Sequence, residues 1–344
     1  MNKRVTIYDV ANKLGISTAT VNRALTGKTR VREETRALVI QTATEMGFRP
    51  NALARSLARK KIRLAVVAFT SFPEFHDSFL SGTREAASEL VDYNVQTDYF
   101  SYDTGATNTK DSQRFLEETL DTIADNGYDG ALILARQIDK FKKLIEKGVC
   151  VATAVNDIAP NLRRFCISHN GFVAGKIAAE LTYRWMSDRA QPVAIASGWP
   201  GNGIHQQTIL GFKAQMEKTP LVLCEIYHHF DNEELAYSET KRVLDNHPDL
   251  GAIYVNSFNS RNVIRAVKEH GLAGKITLVT SDIYDSLRTE IEQGFVVASI
   301  FQNQYEQGKR GLHALYQALT DESYEIQNIT IEPRIILNSN LSLF

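Results

Sequence analysis

From residue 62 onward, short runs of β-branched and aliphatic residues alternate with longer stretches of helical periodicity. Ten such runs occur, and they cover residues 62–69, 95–100, 130–134, 149–155, 164–168, 192–197, 221–227, 251–255, 276–281 and 296–301. Alternation of this kind is typical of parallel sheets with helices on both faces. Because ten strands exceed an ordinary single sheet, we predict an α/β architecture of two doubly wound lobes within residues 62–344.

The chain of 344 residues has a net charge of −1, but this total hides an uneven division. Residues 1–63 contain 14 Lys and Arg against four acidic residues, whereas the remainder contains 25 basic and 36 acidic residues. A basic segment of this kind is attracted to the phosphates of nucleic acids. From charge alone, a solvated basic surface is an equally good interpretation.

The basic segment has the pattern of three short helices in a small all-α domain. Thr6 and Asp9 are spaced as an N-cap and its reciprocal acid, and the first helix should end at Gly15. Ser17 would cap a second helix, and a third would run from residue 32 to 46. Two helices joined by a tight turn have the spacing of a helix-turn-helix, whose second helix enters the major groove of DNA. The residues predicted to form the core are Ile7, Val10, Ala11, Leu14, Val21, Ala24, Leu25, Leu38, Val39, Ala43 and Met46.

Pro50 separates these helices from residues 51–61, which contain four cations and two leucines. A helix of about ten residues without a large apolar face is poorly stable in water, so we expect this segment to need a partner in order to fold. A plain charged linker is the alternative. The predicted domains are therefore residues 1–49, a hinge helix or linker at 50–61, and a two-lobed domain at 62–344.

Residues 5–58, from VTIYDVANKLGISTATV to NALARSLA, resemble the DNA-binding head and hinge helix of LacI/GalR-type bacterial transcription regulators. The resemblance implies that Thr18 and Ala19 face bases, that Arg23 contacts a base or phosphate, and that Leu57 is an apolar wedge in the minor groove. Asn22 and Thr26 depart from the Ser and Asn that are common in this family. The candidate DNA-contacting residues are Thr6, Ser17, Thr18, Ala19, Thr20, Arg23, Asn51, Ala54 and Leu57.

The loops that follow the predicted strands are rich in Asn, Gln, Asp and aromatic residues. Ligands of doubly wound sheets bind at the carboxyl ends of the strands, so these loops predict a cleft for a small polar molecule. For any single Asn or Asp, capping of a helix is an equally good explanation. These loops cover residues 71–75, 135–137, 156–160, 169–171, 198–205, 256–260, 281–285 and 302–304.

Residues 62–344 also resemble, more loosely, the periplasmic-binding-protein-like effector domain of the same family. Where many members carry an arginine that clamps a sugar, this chain has Thr208. His205, Gln206 or Arg136 would have to supply the missing donors, or the ligand is not a typical hexose. The resemblance and the loops together suggest a set of effector-binding candidates: Phe75, Arg136, Asn156, Asp157, His205, Thr208, Asn256, Asp282 and Gln302.

No pattern supports catalysis, a cofactor or a metal. The GWPGNG segment at 198–203 matches neither phosphate-binding motif, and a GxSxG elbow is absent from the sequence. His228 and His229 are adjacent, so on a strand they would point to opposite faces. Cys150, Cys166 and Cys224 have no metal or disulfide spacing, and we expect them to be reduced. The absence of long apolar runs and of a signal-peptide pattern predicts a cytoplasmic protein with no membrane partner.

We therefore predict a ligand-responsive, sequence-specific transcription regulator, and more specifically a repressor of a catabolic or transport operon. Its expected partners are a pseudo-palindromic DNA operator, a sugar or sugar derivative, and a second copy of the chain in a homodimer. A leucine heptad repeat is absent from the C-terminal residues, which favours a dimer over a tetramer. The alternative is a cytoplasmic small-molecule binding protein or sugar-modifying enzyme with an incidental basic head.

Overall fold

The computed structural model describes residues 5–25, 31–46, 48, 61–69, 73–102, 110–134, 141–321 and 323–344. They belong to two compact units, a small head and a body that begins at Lys61.

The head contains three helices, α1 (Ile7–Leu14), α2 (Thr18–Leu25) and α3 (Glu33–Glu45). The predicted reciprocal cap is confirmed: the Thr6 N–H donates to Asp9 Oδ2 at 2.7 Å, and the Asp9 N–H donates to Thr6 Oγ1 at 3.4 Å. Gly15 ends α1 in the left-handed conformation with φ 64°, which glycine adopts without steric cost.

The core of the head is small and apolar. Its buried members are Val10, Ala11, Val21, Ala24, Val39 and Ala43. The prediction for Leu38 is wrong, since this side chain is 53% exposed, whereas Thr42 is buried. Helix α3 presents Val39, Thr42 and Ala43 to the core at the i, i+3, i+4 spacing, and Leu38 is turned away by about 100° of helical rotation.

The body consists of two six-stranded sheets, one in each lobe. The sheet of lobe 1 has the order β11-β5-β4-β3-β1-β2, and the sheet of lobe 2 has the matching order β12-β10-β9-β8-β6-β7. All strand pairs are parallel except β10 with β12. The strands are β1 (Ile62–Phe69), β2 (Val95–Tyr102), β3 (Gly130–Leu134), β4 (Cys150–Ala154), β5 (Phe165–His169), β6 (Val193–Ser197), β7 (Leu223–His228), β8 (Ala252–Val255), β9 (Thr277–Ser281), β10 (Ala298–Phe301), β11 (Ile329–Ile331) and β12 (Arg334–Ile336).

Nine helices of the body are described, together with short 3₁₀ turns at Val91–Tyr93, Pro160–Leu162 and Asn338–Leu343. The helices are α4 (Pro73–Leu90), α5 (Lys110–Asp125), α6 (Phe141–Glu146), α7 (Gly171–Trp185), α8 (Gly203–Met216), α9 (Glu233–Asn246), α10 (Ser260–Glu269), α11 (Asp285–Glu292) and α12 (Gln304–Thr320). The chain crosses between the lobes three times, before α7, before α12 and between β11 and β12.

The predicted two-lobed architecture is confirmed, and all ten predicted runs are strands. Strands β11 and β12 were not predicted, because each has three residues and Pro333 lies between them. Such short runs carry too little pattern to be recognised, and pairing with β5 and β10 makes them strands.

In each lobe, the helix that follows a crossing packs closely against the helix that comes after the first strand of that lobe. A Cβ on Gly175 of α7 would lie 1.9 Å from the Thr208 carbonyl oxygen of α8, and one on Gly211 would lie 1.9 Å from the Phe172 oxygen. Helices α4 and α12 pack equally closely, since a Cβ on Gly82 would lie 2.0 Å from the Tyr305 backbone oxygen. Glycine is therefore required for these backbones to approach one another.

Among the helices that the structure describes, none has both the length and the apolar character needed to cross a membrane. The three cysteines are not in disulfides.

Candidate functional site

The first candidate surface is the outward face of α2 in the head. Ala19, Asn22 and Arg23 are exposed at the i, i+3, i+4 spacing, whereas Val21 and Ala24 on the other side are buried. An exposed stripe on the second helix of a helix-turn-helix is the part that meets base edges. Asn22 was not among the predicted DNA contacts, although its spacing from Ala19 and Arg23 places it on the same stripe.

The other predicted head residues lie at the starts of helices. Thr6 caps α1, and the Ser17 Oγ accepts a hydrogen bond from the Thr20 N–H at 3.1 Å and lies 2.9 Å from the Thr20 hydroxyl. Thr18 is half-buried at the start of α2. These side chains therefore help to position the helices. Thr6 and Ser17 are nevertheless exposed, as are Ala19 and Arg23. The hinge candidates Asn51, Ala54 and Leu57 lie outside the described residues.

The second candidate site is a cleft between the lobes of the body, with a volume of about 90 Å³. It lies at the carboxyl ends of the strands, where ligands of doubly wound sheets bind. Its lining consists of Phe75, His76, Val155, Asn156, His169, Ala174, Asn202, Ile204, His205, Thr208, Asp231, Tyr254, Asn256, Ser257, Phe258, Ser281, Ile300 and Gln302. Six of the nine predicted effector residues are therefore brought together here, namely Phe75, Asn156, His205, Thr208, Asn256 and Gln302.

Asp282 lies behind the cleft and holds Gln302. Its Oδ2 accepts from the Gln302 side-chain amide at 2.6 Å, and its Oδ1 accepts from the Gln302 backbone N–H at 3.3 Å. Asp282 is 1% exposed, and burial raises its pKa to about 6, against the lowering effect of these donors. Asp282 is not among the residues that line the cleft, and in this structure it positions Gln302.

Asp157 also lies away from the cleft lining. Both of its carboxylate oxygens bind Arg163, at 2.5 Å from Nε and 2.6 Å from Nη2, and Oδ1 also accepts from the Ile158 N–H. A bidentate pair of this kind leaves the carboxylate little capacity for a ligand. Arg136, the remaining candidate, lies outside the described residues.

Thr208, which replaces the expected arginine, orients Asn256. The Asn256 Nδ2 donates to the Thr208 hydroxyl at 2.9 Å and to the His205 carbonyl oxygen at 3.2 Å. The amide is therefore held with its Oδ1 on the other side, and this buried oxygen has no hydrogen-bond partner among the described residues. The Asn156 Oδ1, from lobe 1, is also buried and has no hydrogen-bond partner among the described residues. Buried polar atoms in native proteins are nearly always paired, so unpaired ones in a cleft indicate ligand contacts.

Several histidines surround the cleft, and burial keeps them neutral. Burial lowers the pKa of His169 to about 4, with a further lowering from His205 across the cleft. Burial also lowers the pKa of His205, which the Asp231 carboxylate opposes, and lowers that of His229 to about 4. Neutral imidazoles have one N–H donor and one acceptor each, which suits hydroxyl groups.

Ser257 and His229 form a buried pair, with Ser257 Oγ 3.0 Å from His229 Nε2. The Asp231 backbone N–H donates to His229 Nδ1 at 3.2 Å, so Nδ1 is the acceptor of the neutral ring and Nε2 carries the proton. His229 therefore donates to Ser257, whose own hydrogen is free to turn toward the cleft. Ser257 lines the cleft and is 3% exposed.

Contacts between the lobes close the mouth of the cleft. The Phe75 ring meets Phe258 edge to face, with centroids 5.7 Å apart. Beside them, Arg261 of α10 forms an ion pair with Glu74 of α4 at 3.5 Å. Ser286 positions Arg261 by accepting from its Nε at 3.1 Å.

The cleft also contains residues that were not predicted from the sequence, including His169, Asp231 and Tyr254. His169 belongs to the loop at 169–171, which was predicted to reach the cleft, so the loop was identified although this residue was not. Asp231 and Tyr254 carried no signal, since Tyr254 lies inside strand β8 and Asp231 in a turn with φ 56°.

Among the described residues, no group of three or more His, Cys, Asp or Glu side chains is arranged to hold a metal ion.

Comparison with known proteins agrees with this geometry. Residues 64–323 match the periplasmic binding protein domain, and residues 6–51 match the bacterial regulatory proteins of the lacI family. Catabolite control protein A of Staphylococcus aureus (strain MRSA252) is 23% identical over 339 residues, covering 96% of this chain and 97% of that protein. The protein of the same name from Staphylococcus xylosus is 24% identical over 336 residues, with the same coverage of both proteins.

Solved structures with the fold of the body include a solute-binding protein of an ABC transporter from Burkholderia graminis C4D1M in complex with D-arabinose. Its TM-score is 0.72 at 19% sequence identity, and the match covers 83% of this chain and 98% of that protein. GanP, a glucose-galactose binding protein from Geobacillus stearothermophilus, has a TM-score of 0.73 at 18% identity, with coverage of 82% and 99%. A solute-binding protein from Agrobacterium vitis, bound with α-D-tagatopyranose, has a TM-score of 0.73 at 22% identity, with coverage of 82% and 96%.

A helix-turn-helix head and a two-lobed ligand-binding body in one chain define the class of ligand-responsive, DNA-binding transcription regulators. The chain belongs to the lacI family of bacterial regulatory proteins, with a body of the periplasmic binding protein family. The match of the head to this family shows that the basic segment is a DNA-binding domain and not an incidental feature.

Proposed function

We propose that the cleft of this regulator binds a neutral, hydroxyl-rich molecule, a sugar or an uncharged sugar derivative, and that this binding changes the affinity of the head for DNA. The observation that carries the proposal is the pair of buried amide oxygens, Asn156 Oδ1 from lobe 1 and Asn256 Oδ1 from lobe 2, which have no partners among the described residues. Hydroxyl groups between the lobes would donate to both and stabilise the closed cleft.

Charge supports a neutral ligand. None of the described residues that line the cleft is a lysine or an arginine, and Asp231 contributes a carboxylate. Phosphates and carboxylates bind where cations or clusters of backbone amides meet them, so an anionic ligand would be repelled here. The neutral imidazoles of His169 and His205 offer hydroxyl partners without adding charge.

The related structures favour the same class of ligand. D-arabinose is bound in the Burkholderia graminis protein and α-D-tagatopyranose in the Agrobacterium vitis protein, and both proteins share the fold of the body. Phe75 and Phe258 at the mouth, together with Tyr254 inside, provide apolar surface for the C–H faces of a sugar ring.

A second candidate function, hydrolysis by Ser257 with His229 as base, is disfavoured by the proton positions. A serine nucleophile needs an unprotonated Nε2, whereas the Asp231 N–H directs the proton of His229 to Nε2. The pKa of His229, about 4, also leaves it a poor base near neutral pH. We therefore propose that the cleft binds its ligand without converting it.

For the whole protein we propose a cytoplasmic homodimer that acts as a repressor of a catabolic or transport operon. Two α2 helices would occupy successive major-groove half-sites of a pseudo-palindromic operator, with Arg23 as a base or phosphate contact. The hinge residues Asn51, Ala54 and Leu57 would enter the minor groove between them. Closure of the cleft would rotate one lobe against the other and so alter the spacing of the hinges.

The test is a DNA-binding assay under ligand titration. Genomic fragments selected by the purified full-length chain are footprinted, and their affinity is measured against a panel of neutral sugars and the corresponding sugar phosphates. We expect a palindromic footprint with a steep dependence on salt, and an affinity that changes with a neutral sugar but not with its phosphate. A response to the phosphate and not to any neutral sugar would contradict the proposed ligand class. Failure to enrich any fragment, with or without sugars, would contradict the proposed DNA recognition.

A further inference from the structure

The turn between β7 and α9 places a carboxylate in the wall of the cleft. Asp231 lies in this turn, lines the cleft and is half-buried, so part of its surface is accessible. It is the one carboxylate among the described residues that line the cleft. Its two carboxylate oxygens have no hydrogen bond and no ion pair within the described part of the chain. An accessible carboxylate without a protein donor is available to a ligand.

The backbone that presents Asp231 is strained. Phe230 and Asp231 have φ values of 53° and 56°, in the left-handed region that residues other than glycine rarely enter. Each such residue costs free energy and persists only where its surroundings hold it, which is often at a binding site.

His229 holds the turn in place. Its backbone N–H donates to the Ser197 carbonyl oxygen at 2.9 Å, and its own carbonyl oxygen accepts from the Asn232 N–H at 2.8 Å. Its Nδ1 accepts from the Asp231 N–H at 3.2 Å. The strained conformation is therefore fixed at both ends, and the direction of the Asp231 side chain is fixed with it.

Gly198 makes room for the carboxylate. A Cβ at this position would lie 2.3 Å from Asp231 Oδ1 and 2.5 Å from His205 Cε1. Only glycine therefore allows the carboxylate to lie beside the imidazole of His205, which also lines the cleft.

The neighbouring imidazoles do not donate to this carboxylate. The neutral His205 ring donates its one proton to the backbone carbonyl oxygen of Trp199. His229 donates from Nε2 to Ser257, because its Nδ1 already accepts the Asp231 N–H. The described lining also contains no lysine or arginine. Asp231 therefore obtains its hydrogen-bond donors from a ligand or from water.

We infer that Asp231 is a specificity-determining residue of the cleft, whose carboxylate accepts hydrogen bonds from two hydroxyl groups on adjacent carbons of the sugar. This inference rests on the proposed function of the cleft. A carboxylate presents two acceptor oxygens side by side, which matches two neighbouring hydroxyls. Hydrogen bonds to a charged acceptor are stronger than those to the neutral amide oxygens of Asn156 and Asn256. Asp231 thus selects sugars that carry such a diol at one edge of the ring.

Calorimetric titration of the full-length chain tests the inference. The panel consists of D-glucose, D-galactose, D-xylose and L-arabinose, their monodeoxy analogues, and the amino sugars D-glucosamine and D-galactosamine. For the best sugar, we expect the loss of either of two adjacent hydroxyls to weaken binding by about tenfold, equivalent to about 1.4 kcal/mol.

The decisive variant is Asp231→Asn. Asparagine has nearly the same size, tolerates the left-handed conformation and keeps one acceptor oxygen, so the turn is retained while the charge is removed. The variant should bind the best sugar about tenfold more weakly. It should lose no more than about threefold further when either of the two adjacent hydroxyls is removed, because their charged partner is already gone.

The matched control is Asp249→Asn. This exposed residue lies shortly before β8, at the edge of the lobe 2 sheet opposite the cleft, so the control removes the same charge from the same lobe. It should leave every affinity within about twofold of the wild-type value. Thermal unfolding of both variants should match that of the wild-type chain, which separates lost contacts from lost folding.

Each other outcome overturns the inference. If Asp231→Asn leaves sugar affinity within about twofold, or weakens the parent sugar and all its deoxy analogues equally, Asp231 does not bind the diol, while the proposed function stands. If an amino sugar binds more tightly than its parent and loses more affinity in the variant, the carboxylate recognises an ammonium group instead. If no sugar of the panel binds, the proposed function itself fails and this inference fails with it.

Discussion

The roles of individual residues in the cleft follow from which of their atoms are already occupied. Asp282 and Asp157 are both carboxylates near the cleft, but Gln302 takes the oxygens of the first and Arg163 those of the second. The nitrogen of Asn256 donates to Thr208, and its oxygen has no partner among the described residues. Thr208, at the position of the expected arginine, thus acts indirectly by orienting the Asn256 amide. The cleft therefore presents hydrogen-bond acceptors, which suit a neutral ligand.

Buried neutral histidines make stability depend on pH. The pKa of His169 is lowered to about 4 in the folded chain and stands near 6.5 when unfolded. The unfolded state therefore binds the proton first, and the stability that His169 contributes is lost as pH falls from about 6.5 toward 4.

We predict that His169→Gln flattens the dependence of the unfolding free energy on pH between about 4.5 and 6 by close to one proton, or about 1.4 kcal/mol per pH unit. Asp282, whose pKa is raised to about 6, has the opposite slope, but it is present in both proteins and cancels in the difference. Urea unfolding at several pH values measures the effect. His229→Gln should flatten the pH dependence by the same amount, and the double variant should flatten it by the equivalent of two protons. If His169→Gln leaves the pH dependence unchanged, His169 is not buried as a neutral ring.

Among the elements, the glycine contacts between helices set the geometry of each lobe. Gly175 and Gly211 allow α7 to pack closely on α8, and Gly82 and Gly308 allow α4 to pack closely on α12. In both lobes, therefore, glycines lie where the helix that follows a crossing meets its neighbour. Helix α8 begins with the turn that carries His205, and Thr208 lies one turn further on. The closeness of α7 therefore fixes the position of two cleft residues.

We predict that Gly175→Ala destabilises the body by about 2–3 kcal/mol, because its Cβ would lie 1.9 Å from the backbone oxygen of Thr208 and the helices must separate. Thermal unfolding should show a midpoint lowered by several degrees, at about 2–4 °C per kcal/mol for a domain of this size. Gly203→Ala, in the first turn of α8, is the matched control, since nothing lies within 4 Å of its added Cβ. A variant of Gly175 as stable as this control would refute the close packing.

At the scale of the whole body, the two lobes are held together at the cleft mouth by the ion pair of Arg261 and Glu74. Both side chains are about half-exposed, at 56% and 44%, so the pair contributes little, within about 1 kcal/mol. A contribution of this size is nevertheless enough to shift an equilibrium between open and closed lobes by up to about fivefold.

We therefore predict that Arg261→Ala weakens binding of the best sugar of the panel by about two- to fivefold, and that high salt reduces the difference. Calorimetric titration at two salt concentrations measures both effects. Arg265→Ala removes a cation from the same helix that pairs with Glu269 of lobe 2 at 2.9 Å, so it should leave the affinity unchanged. Equal losses in the two variants would mean that Arg261 does not act between the lobes.

The sequence by itself determined the elements and the class of fold. Hydrophobic periodicity is a local property, and it was sufficient for the three head helices, the reciprocal cap of Thr6 and Asp9, and ten of the twelve strands. The loops after those strands also indicated where the cleft lies, because parallel strands carry their carboxyl ends to one edge.

The tertiary structure decided which atoms remain available. Asn256 is oriented by Thr208, 48 residues away, and Ser257 by His229, 28 residues away. Strands β11 and β12 exist because they pair with β5 and β10 at the edges of the two sheets. Such pairings join residues that are distant along the chain, so no local pattern records them. They distinguish Asn256, whose Oδ1 has no partner among the described residues, from a positioning residue such as Asp282.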